Sequence, residues 1–319
     1  MNTLNELSTG PIQGMRFDGE VVVVTGAGNG LGKSHAHYFA SLGARVVVND
    51  LGVDVSGSGA AQVSPADQVV SEIKALGGEA CANYDSVVDG KHVITQAMDE
   101  YGRIDVLINN AGILRDKSFH KMTLDDWRQV QDVHLNGAFA LCHAAWPHMR
   151  SQQYGRIIFT LSASGIYGNF GQANYSAAKM GMLGLMNTLA IEGKPKNIHA
   201  NAIAPIVDSR MLQQFLPADV LQQLQPDKVS PLIALLCHRD CESTGELFEA
   251  GGGWFGKLRW QRSDGAFFAP SQTIDGNALA EHLQQICGFE SAHYPADTVE
   301  AIGYLLNKLA GENNDQSIA

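Results

Sequence analysis

The sequence lacks any apolar run long enough to cross a membrane. A transmembrane helix needs about 20 predominantly apolar residues in succession, and polar or charged residues interrupt every apolar stretch before that length. Residues 1–15 also lack the apolar core of a secretory signal, so they are expected to form a flexible leader. These absences argue against membrane insertion and favour a cytoplasmic protein.

Cysteine and positive charge are also scarce. The five cysteines are odd in number and scattered, which indicates reduced thiols rather than a disulfide framework. Cys237-His238-x-x-Cys241 resembles half a metal site, but no second ligand pair exists, so we interpret these cysteines as core thiols and predict no metal. With 22 basic and 33 acidic residues, the net charge of −11 argues against a nucleic-acid partner.

The composition supports one large globular domain with an appendage. Apolar residues make up 45% of the 319 residues, which is enough for a full core, and the 34 glycines indicate many tight loops. We predict a leader over 1–15, an α/β domain over 16–262 and a helical extension over 263–319 with a disordered tail.

A nucleotide-binding signature follows the leader. The run from Glu20 to Thr25 contains four consecutive valines, the β-branched apolar pattern of a buried parallel strand. It leads into the sequence TGAGNGLG (25–32), and a helix is predicted from about Leu31 to Leu42. A glycine-rich turn between a strand and a helix lets the backbone approach a pyrophosphate. The spacing TGxxxGxG differs from GxGxxG and is typical of a related Rossmann variant.

Acidic residues end the next two predicted strands. Asp50 follows the strand from about Ala44 to Asn49, where a carboxylate meets the adenosine ribose hydroxyls. Because a carboxylate repels a 2′-phosphate, NAD is favoured over NADP. Asp85 ends a third strand, where it either contacts the adenine or caps a turn.

Strands and helices continue to alternate along the chain, which predicts a doubly wound, mostly parallel sheet. In such a sheet, ligands bind at the carboxyl ends of the strands. The polar and special residues at predicted strand ends are Thr25, Asp50, Asp85, Asn110, Ser162 and Pro205.

Tyr175 and Lys179 lie at positions i and i+4 of a predicted helix that runs from about Ala173 to Glu192. Residues with this spacing share one helix face. A free tyrosine is a poor base at neutral pH because its pKa is about 10, and a neighbouring ammonium lowers that pKa by favouring the phenolate. The pair therefore predicts a proton-transfer device, although the same spacing is common on helix surfaces.

These motifs resemble the short-chain dehydrogenase/reductase family over roughly residues 16–260. The resemblance rests on TGAGNGLG (25–32), NNAG (109–112), Ser162 and YSAAK (175–179). Longer stretches, including GRIDVLINNAGILRDKSF (102–119) and SASGIYGNFGQANYSAAK (162–179), resemble the dehydrogenase domains of type 2 multifunctional enzymes, which are also known as 17β-hydroxysteroid dehydrogenases. The resemblance implies a Rossmann fold of about seven strands and NAD-dependent oxidation of (3R)-3-hydroxyacyl-CoA to 3-ketoacyl-CoA.

The resemblance also implies residue roles. Tyr175 would accept the hydroxyl proton, Lys179 would bind the nicotinamide ribose and lower the tyrosine pKa, and Ser162 would hold the substrate oxygen. The cofactor-binding residues implied in the same way, together with the strand-end positions, are Thr25, Gly26, Gly28, Asn29, Gly30, Leu31, Gly32, Asp50, Asp85, Ser86, Asn110, Ala111, Gly112, Tyr175, Lys179, Pro205, Ile206 and Ser209.

One position departs from the family pattern. Members usually carry an asparagine in the long fourth helix, here predicted from about Leu124 to Met149, and it anchors a water that leads from the lysine to solvent. His134 occupies that position, and Asn136 is expected to face elsewhere because residues two apart do not share a helix face. An imidazole with a pKa near 6.5 would hold the water or relay the proton itself. A simple packing role for His134 is the alternative.

Two segments are expected to choose the substrate. The stretch from Val207 to Pro231 resembles a substrate lid, with an ordinary surface helix as the alternative, and its apolar residues are Met211, Leu212, Phe215 and Leu216. The basic, aromatic stretch Gly251 to Arg262 offers Lys257, Arg259 and Arg262 either to CoA phosphates or to a partner subunit.

The predicted function is thus an NAD-dependent (3R)-hydroxyacyl-CoA dehydrogenase. Oxidation of free steroids by the same chemistry is the second hypothesis, and a non-catalytic NAD-binding scaffold is the third. The family resemblance implies a homodimer or homotetramer.

Overall fold

The computed structural model describes residues 14–54, 56–59, 64–208, 217–269 and 271–315, with side chains described up to residue 309. Most of the predicted leader lies outside these ranges. The same holds for Ser209 and for the four apolar residues of the predicted lid, Met211, Leu212, Phe215 and Leu216.

An eight-stranded sheet lies at the centre of the first part of the chain. Its order is β3-β2-β1-β4-β5-β6-β7-β8, and β1 to β7 pair in parallel. The strands are β1 (Val21–Thr25), β2 (Arg45–Asn49), β3 (Glu79–Asn83), β4 (Val106–Asn109), β5 (Gly155–Thr160), β6 (Ile198–Pro205), β7 (Leu247–Gly251) and β8 (Trp254–Leu258). Only Gly252 and Gly253 separate β7 from β8, and a link of two residues joins antiparallel strands.

Helices cover the sheet, which explains why its central strands are buried throughout. All five residues of β1 are buried, as expected for a parallel strand with a helix layer on each face. The helices of this part are α1 (Gly30–Ser41), α2 (Pro65–Ala75), α3 (Gly90–Tyr101), α4 (Leu124–Gln131), α5 (Gly137–Gln152), α6 (Ala163–Tyr167), α7 (Ala173–Gly193), α8 (Ala218–Leu221) and α9 (Ser230–Cys237). The largest core cluster packs α1, α2 and α9 against β1 and β2. The doubly wound Rossmann fold predicted from the sequence is confirmed.

The strand order reverses at β1, which has β2 on one side and β4 on the other. In open α/β sheets, ligands bind in the crevice at such a point. Thr25 pairs with Asn49, and Asn49 pairs with Asn83, so the ends of β1, β2 and β3 stand in one row. The predicted strand-end residues therefore meet along one edge of the sheet.

The long fourth helix predicted from the sequence is present, with one local irregularity. A π-helical turn, Asp132–Asn136, separates α4 from α5 and contains the buried His134. Single π turns inside helices are frequently found at functional sites. Asn136 is exposed and donates to Asp132 Oδ1 at 2.8 Å, so it faces away from His134 as expected.

The chain divides into two compact units between Lys257 and Leu258. The second unit contains α10 (Gly276–Glu281), α11 (Leu283–Ile286) and α12 (Thr298–Asp315). Within it, the backbones of Arg262 and His293 form an antiparallel bridge. Helix α12 continues to Asp315 and so includes the first five residues of the tail, Gly311 to Ala319, that the sequence predicted to be disordered.

The cysteines are free thiols, and Cys237 and Cys241 are buried. Among the described residues, no cluster of His, Cys, Asp and Glu has the arrangement of a metal site. Over the same residues, no helix has the length and apolar character needed to span a bilayer.

Candidate active site

The turn between β1 and α1 is shaped by glycines that leave no space for a side chain. Gly26 has φ +61°, and a Cβ atom there would lie 2.8 Å from Ala111 Cα. A Cβ atom on Gly32 would collide with the carbonyl oxygen of Gly26. The turn therefore presents bare backbone next to the N-terminus of α1, the arrangement that receives a pyrophosphate.

Asp50 closes this turn from the neighbouring strand end. Its Oδ2 accepts the Gly28 N–H at 2.8 Å, and its Oδ1 accepts the Gly52 N–H at 2.8 Å. A Cβ atom on Gly28 would lie 2.7 Å from Asp50 Oδ2, so a glycine is needed for this approach. The carboxylate is thus held in place beside the glycine turn.

The end of β4 is fastened to the same turn. Asn110 Nδ2 donates to the carbonyl oxygens of Thr25 at 2.9 Å and Gly26 at 3.2 Å. Thr25 Oγ1 accepts the N–H groups of Asn110 and Ala111, both at 3.0 Å. These bonds fix the first and fourth strand ends as one rigid edge.

A cavity of about 550 Å³ opens along this edge. This volume is typical of pockets for small ligands and cofactors. Nine of the predicted cofactor residues line it: Gly26, Asn29, Gly30, Asp50, Asp85, Ser86, Asn110, Ala111 and Gly112. Residues that the sequence did not single out also line it: Asn49, Leu51, Val53, Asp54, Gly57, Ile113, Gln129, Asp132 and Val133.

The other predicted cofactor residues lie at neighbouring positions. Gly28, Leu31 and Gly32 belong to the turn and the first turn of α1. Pro205 ends β6, and the Ile206 N–H that follows it donates to the Ala250 carbonyl at 2.7 Å.

Ser162, Tyr175 and Lys179 come together beside this edge. Ser162 follows β5 and caps α6, and its Oγ accepts the Ser164 N–H at 3.2 Å. The Tyr175 hydroxyl forms a hydrogen bond with the Ser162 side chain. Lys179 is buried, its Nζ lies 5.3 Å from the centre of the Tyr175 ring, and it donates to the Thr160 carbonyl at 2.5 Å.

The charges of this group differ from the sequence prediction. Burial raises the pKa of Tyr175, the hydrogen bond from Ser162 lowers it less, and the charge of Asp116 raises it. Burial also lowers the pKa of Lys179 to about 7. The predicted lowering of the Tyr175 pKa is therefore wrong in direction, because burial of the phenol outweighs the hydrogen bond from Ser162.

The buried lysine should make stability depend on pH. An unfolded lysine keeps its proton up to its ordinary pKa of 10.5, while folded Lys179 loses it above about 7. Since the unfolded chain binds more protons in this window, the free energy of unfolding should rise with pH from about 7 to 10.5, by at most ~1.4 kcal/mol per pH unit. Urea titrations of the wild type and Lys179→Met would measure it. Parallel profiles for the two proteins would contradict the assignment.

His134 is buried and packs against Tyr175. Its ring meets the Tyr175 ring edge to face, with 5.1 Å between centres, and its Nε2 lies 2.8 Å from the Ile113 carbonyl oxygen. The Ile113 N–H lies 3.1 Å from the same nitrogen. The shorter distance favours the tautomer in which Nε2 carries the proton and donates.

Burial sets the ionisation of this histidine. Burial, followed by the charge of Lys179, lowers the His134 pKa to about 3, so the expected pKa near 6.5 is wrong and the ring stays neutral at physiological pH. Its Nδ1 has no hydrogen-bond partner among the described residues, and neither has Asn109 Oδ1. Both residues line a small cavity of about 10 Å³.

Comparisons with known proteins agree with this geometry. The family model for short chain dehydrogenases matches residues 20–219. The mouse peroxisomal multifunctional enzyme type 2 is 53% identical over 296 residues, which cover 92% of this chain and 40% of that enzyme. A short-chain type dehydrogenase/reductase of Mycobacterium tuberculosis is 50% identical over 278 residues, which cover 86% of this chain and 97% of that protein.

Two solved structures of dehydrogenases also superpose on this chain. The full-length type 2 multifunctional enzyme of Drosophila melanogaster superposes with a TM-score of 0.80 at 43% identity, over 93% of this chain and 50% of that one. A 7α-hydroxysteroid dehydrogenase, in complex with NADH and 7-oxo glycochenodeoxycholic acid, superposes with a TM-score of 0.66 at 28% identity, over 75% of this chain and 96% of that one.

The chain spans half or less of the length of the mouse and Drosophila multifunctional enzymes, but nearly all of the mycobacterial relative. The match to the family model and the identity to the mycobacterial dehydrogenase, together with the fold and the site, lead to one conclusion. This chain belongs to the short-chain dehydrogenase family and is an oxidoreductase that acts on CH–OH groups with a nicotinamide cofactor.

Proposed function

We propose that the chain is an NAD-dependent dehydrogenase that interconverts (3R)-3-hydroxyacyl-CoA and 3-ketoacyl-CoA. The observation that carries the chemistry is the pairing of the half-buried Tyr175 with the buried Lys179, with Ser162 hydrogen-bonded to the phenol, beside a glycine-lined crevice. The substrate class rests on similarity to the type 2 multifunctional enzymes, of which this chain covers only a part.

In the oxidation direction, Tyr175 accepts the proton of the substrate hydroxyl. Ser162, which already binds the phenol, holds the substrate oxygen and stabilises the charge that develops on it. The oxidised nicotinamide, when bound, supplies the hydride acceptor and a positive charge close to the phenol. Because burial raises the Tyr175 pKa, the phenolate form needs a positive charge close to it. We therefore expect the cofactor to bind before the alcohol.

Lys179 has two parts in this proposal. Its bond to the Thr160 carbonyl fixes the amine at the end of β5, 5.3 Å from the centre of the Tyr175 ring, where it would hold the nicotinamide ribose. Its pKa of about 7 also lets it exchange a proton near neutral pH. Lys179 is therefore proposed both to bind the cofactor and to be the first group that exchanges a proton with Tyr175.

His134 is proposed as a positioning residue for Tyr175. A neutral imidazole with a pKa of about 3 does not act by becoming protonated at physiological pH. It packs on the Tyr175 ring and holds the Ile113 backbone, so its contribution is to fix the phenol relative to the cofactor crevice.

We expect His134→Ala to lower kcat about 10-fold, as for a misplaced proton acceptor, with the Kd of NAD nearly unchanged. His134→Asn keeps a hydrogen-bonding group for Ile113 and should recover part of the loss. His35→Ala is the matched control, because His35 is equally buried, has its pKa lowered to about 3 and bonds Ser230 instead. Equal kcat values in the wild type and His134→Ala would refute the role.

The cofactor is proposed to be NAD because of Asp50. Gly28 and Gly52 hold the carboxylate beside the turn, where its charge repels a 2′-phosphate. The described residues that line the cavity include aspartates but no lysine, arginine or histidine, so none of them offers a positive charge to a 2′-phosphate.

Asp50→Asn removes the charge and keeps one acceptor for the glycine N–H groups. The ratio of kcat/KM for NAD to that for NADP should fall about 10-fold, as expected for the loss of one unfavourable charge pair near the surface. Asp85→Asn is the control, because Asp85 lines the same cavity at the next strand end and should change the ratio far less. An unchanged ratio in Asp50→Asn would remove the basis for NAD selectivity.

The basic side chains of the stretch Gly251 to Arg262, predicted to bind either CoA phosphates or a partner subunit, already have partners within the chain. Lys257 Nζ lies 2.7 Å from Glu246 Oε2, and Arg259 stacks over the Tyr294 ring at 3.6 Å. Arg262 donates to the Ala301 carbonyl at 3.1 Å. Binding of CoA phosphates by these residues would have to compete with these partners, so the proposal for CoA does not rest on them.

A free steroid is the second candidate substrate, favoured by the similarity to the 7α-hydroxysteroid dehydrogenase. By its family resemblance, the chain is also proposed to form a homodimer or homotetramer in the cytoplasm. Formation of reduced cofactor with 3-hydroxyacyl-CoA thioesters of several chain lengths and with estradiol separates the candidates. Turnover of thioesters supports the hydroxyacyl-CoA proposal, and turnover of estradiol alone supports the steroid as substrate. Turnover of neither favours the hypothesis of a non-catalytic NAD-binding scaffold.

A further inference from the structure

Asn174, the residue before the catalytic tyrosine, is fully buried at the start of α7. A buried amide has to satisfy one acceptor and two donor positions, and leaving any of them unpaired is costly. Asn174 satisfies all three: one bond goes to the Tyr175 backbone, and two go to the segments that supply Ile113 and Val130 to the cluster packed against Tyr175.

The acceptor bond holds the tyrosine itself. Asn174 Oδ1 accepts the Tyr175 N–H at 2.8 Å. The first N–H groups of a helix have no partner within the helix, and Gln172, the capping residue of α7, makes no capping bond with its side chain. Asn174 therefore fixes the backbone at the point from which the catalytic side chain leaves.

The donor bonds connect that point to two other segments. Asn174 Nδ2 donates to the Arg115 carbonyl at 3.2 Å, in the loop after β4, and to the Asp126 carbonyl at 3.1 Å, in α4. Gln131 Nε2, at the end of α4, donates to the Asn174 carbonyl at 2.8 Å. The first turn of α7 is thus fastened to the β4 loop, which continues from the cofactor crevice, and to the helix that leads into the π turn with His134.

We propose that Asn174 is a positioning residue that sets the place of the Tyr175 hydroxyl relative to the cofactor crevice and Ser162. The inference rests on the proposed role of Tyr175 as proton acceptor. Asn174 does not touch the substrate; it acts through the tyrosine backbone and the two segments that frame the ring. Small errors in such placement are expensive, since a shift of about 1 Å can cost on the order of 100-fold in rate.

Asn174→Ala should lower kcat about 10- to 100-fold, with the Kd of NADH within about 2-fold of the wild type. With substrate deuterated at the carbinol carbon, the isotope effect on kcat should increase, because the chemical step becomes slower than product release. Gln131→Met removes only the bond to the Asn174 carbonyl and is less disruptive, and it should show the same pattern with a smaller loss of kcat.

Asn201→Ala is the matched control, because Asn201 is an equally buried amide in β6 whose bonds go to Ser243 and Glu246. It should lose stability but keep kcat and the isotope effect. If the Asn174 and Gln131 variants behave like this control, Asn174 is merely structural and the inference is overturned. If Tyr175→Phe retains activity, the proposed function fails instead, so the two failures are distinguishable.

Discussion

Replacing Tyr175 with phenylalanine should lower kcat about 10³-fold or more, within the range of a lost general acid–base group. The hydroxyl binds the Ser162 side chain, and the ring, which packs against His134, is retained. The variant should therefore fold and bind NADH with little change in Kd, so that only the proton transfer is lost. Initial rates and a fluorescence titration with NADH measure the two parts separately.

A second tyrosine supplies the control for this result. Tyr154 is partly buried, and its hydroxyl lies 3.3 Å from two acceptors, Glu20 Oε2 and the Cys237 carbonyl oxygen, which share its one hydrogen. Tyr154→Phe likewise removes a hydrogen-bonded tyrosine hydroxyl, but outside the proposed site, so this variant should keep the wild-type kcat. More than about a tenth of wild-type kcat in Tyr175→Phe would show that another group accepts the proton.

Replacing Gly32 with alanine should weaken cofactor binding about 100-fold. The added methyl group would collide with the Gly26 carbonyl, and it would lie 2.6 Å from Asn110 Nδ2 and 2.9 Å from Ala27 Cα. Backbone atoms cannot rotate away as a side chain can, so the turn has to open, at a cost of about 1–3 kcal/mol. In the proposed function the same turn donates its N–H groups to the pyrophosphate, so this cost should appear as a higher Kd for NADH.

Calorimetric titration with NADH and a thermal unfolding curve would measure the effect of Gly32→Ala on binding and on stability. Gly276→Ala is the control, because Gly276 opens α10 and a Cβ atom there would meet nothing within 4 Å. The two variants should differ by about two orders of magnitude in Kd. A Kd for Gly32→Ala within about 3-fold of the wild type would mean that the turn does not form the cofactor site.

Local sequence was sufficient to predict the glycine turn and the strand ends that line the cavity. A buried β-branched strand, a glycine turn and a helix follow each other within about a dozen residues of TGAGNGLG, and each is recognisable without the rest of the chain. The strand ends could then be aligned because parallel strands in this fold carry their ligands at one edge. Asp50 and Asn110 accordingly lie where the sequence predicted them, on the lining of the cavity.

The sequence could not predict properties that depend on burial or on distant contacts. The direction of the Tyr175 pKa shift was wrong because i, i+4 spacing indicates the lysine charge but not the desolvation of both groups. Asn174 was overlooked because its partners at Arg115 and Asp126 are 59 and 48 residues away. Lys257 looked like a free cation because its partner, Glu246, belongs to a different segment of the chain.

The central claim is that this site oxidises a (3R)-3-hydroxyacyl-CoA with NAD. The most direct measurement compares initial rates of NADH formation from the (3R) and (3S) epimers of one 3-hydroxyacyl-CoA. The hydroxyl must face Tyr175 while the carbinol hydrogen faces the cofactor, and the wrong epimer cannot align both, so the (3R) epimer should react at least ~100-fold faster. Equal rates, a faster (3S) epimer, or no NADH from either would contradict the claim.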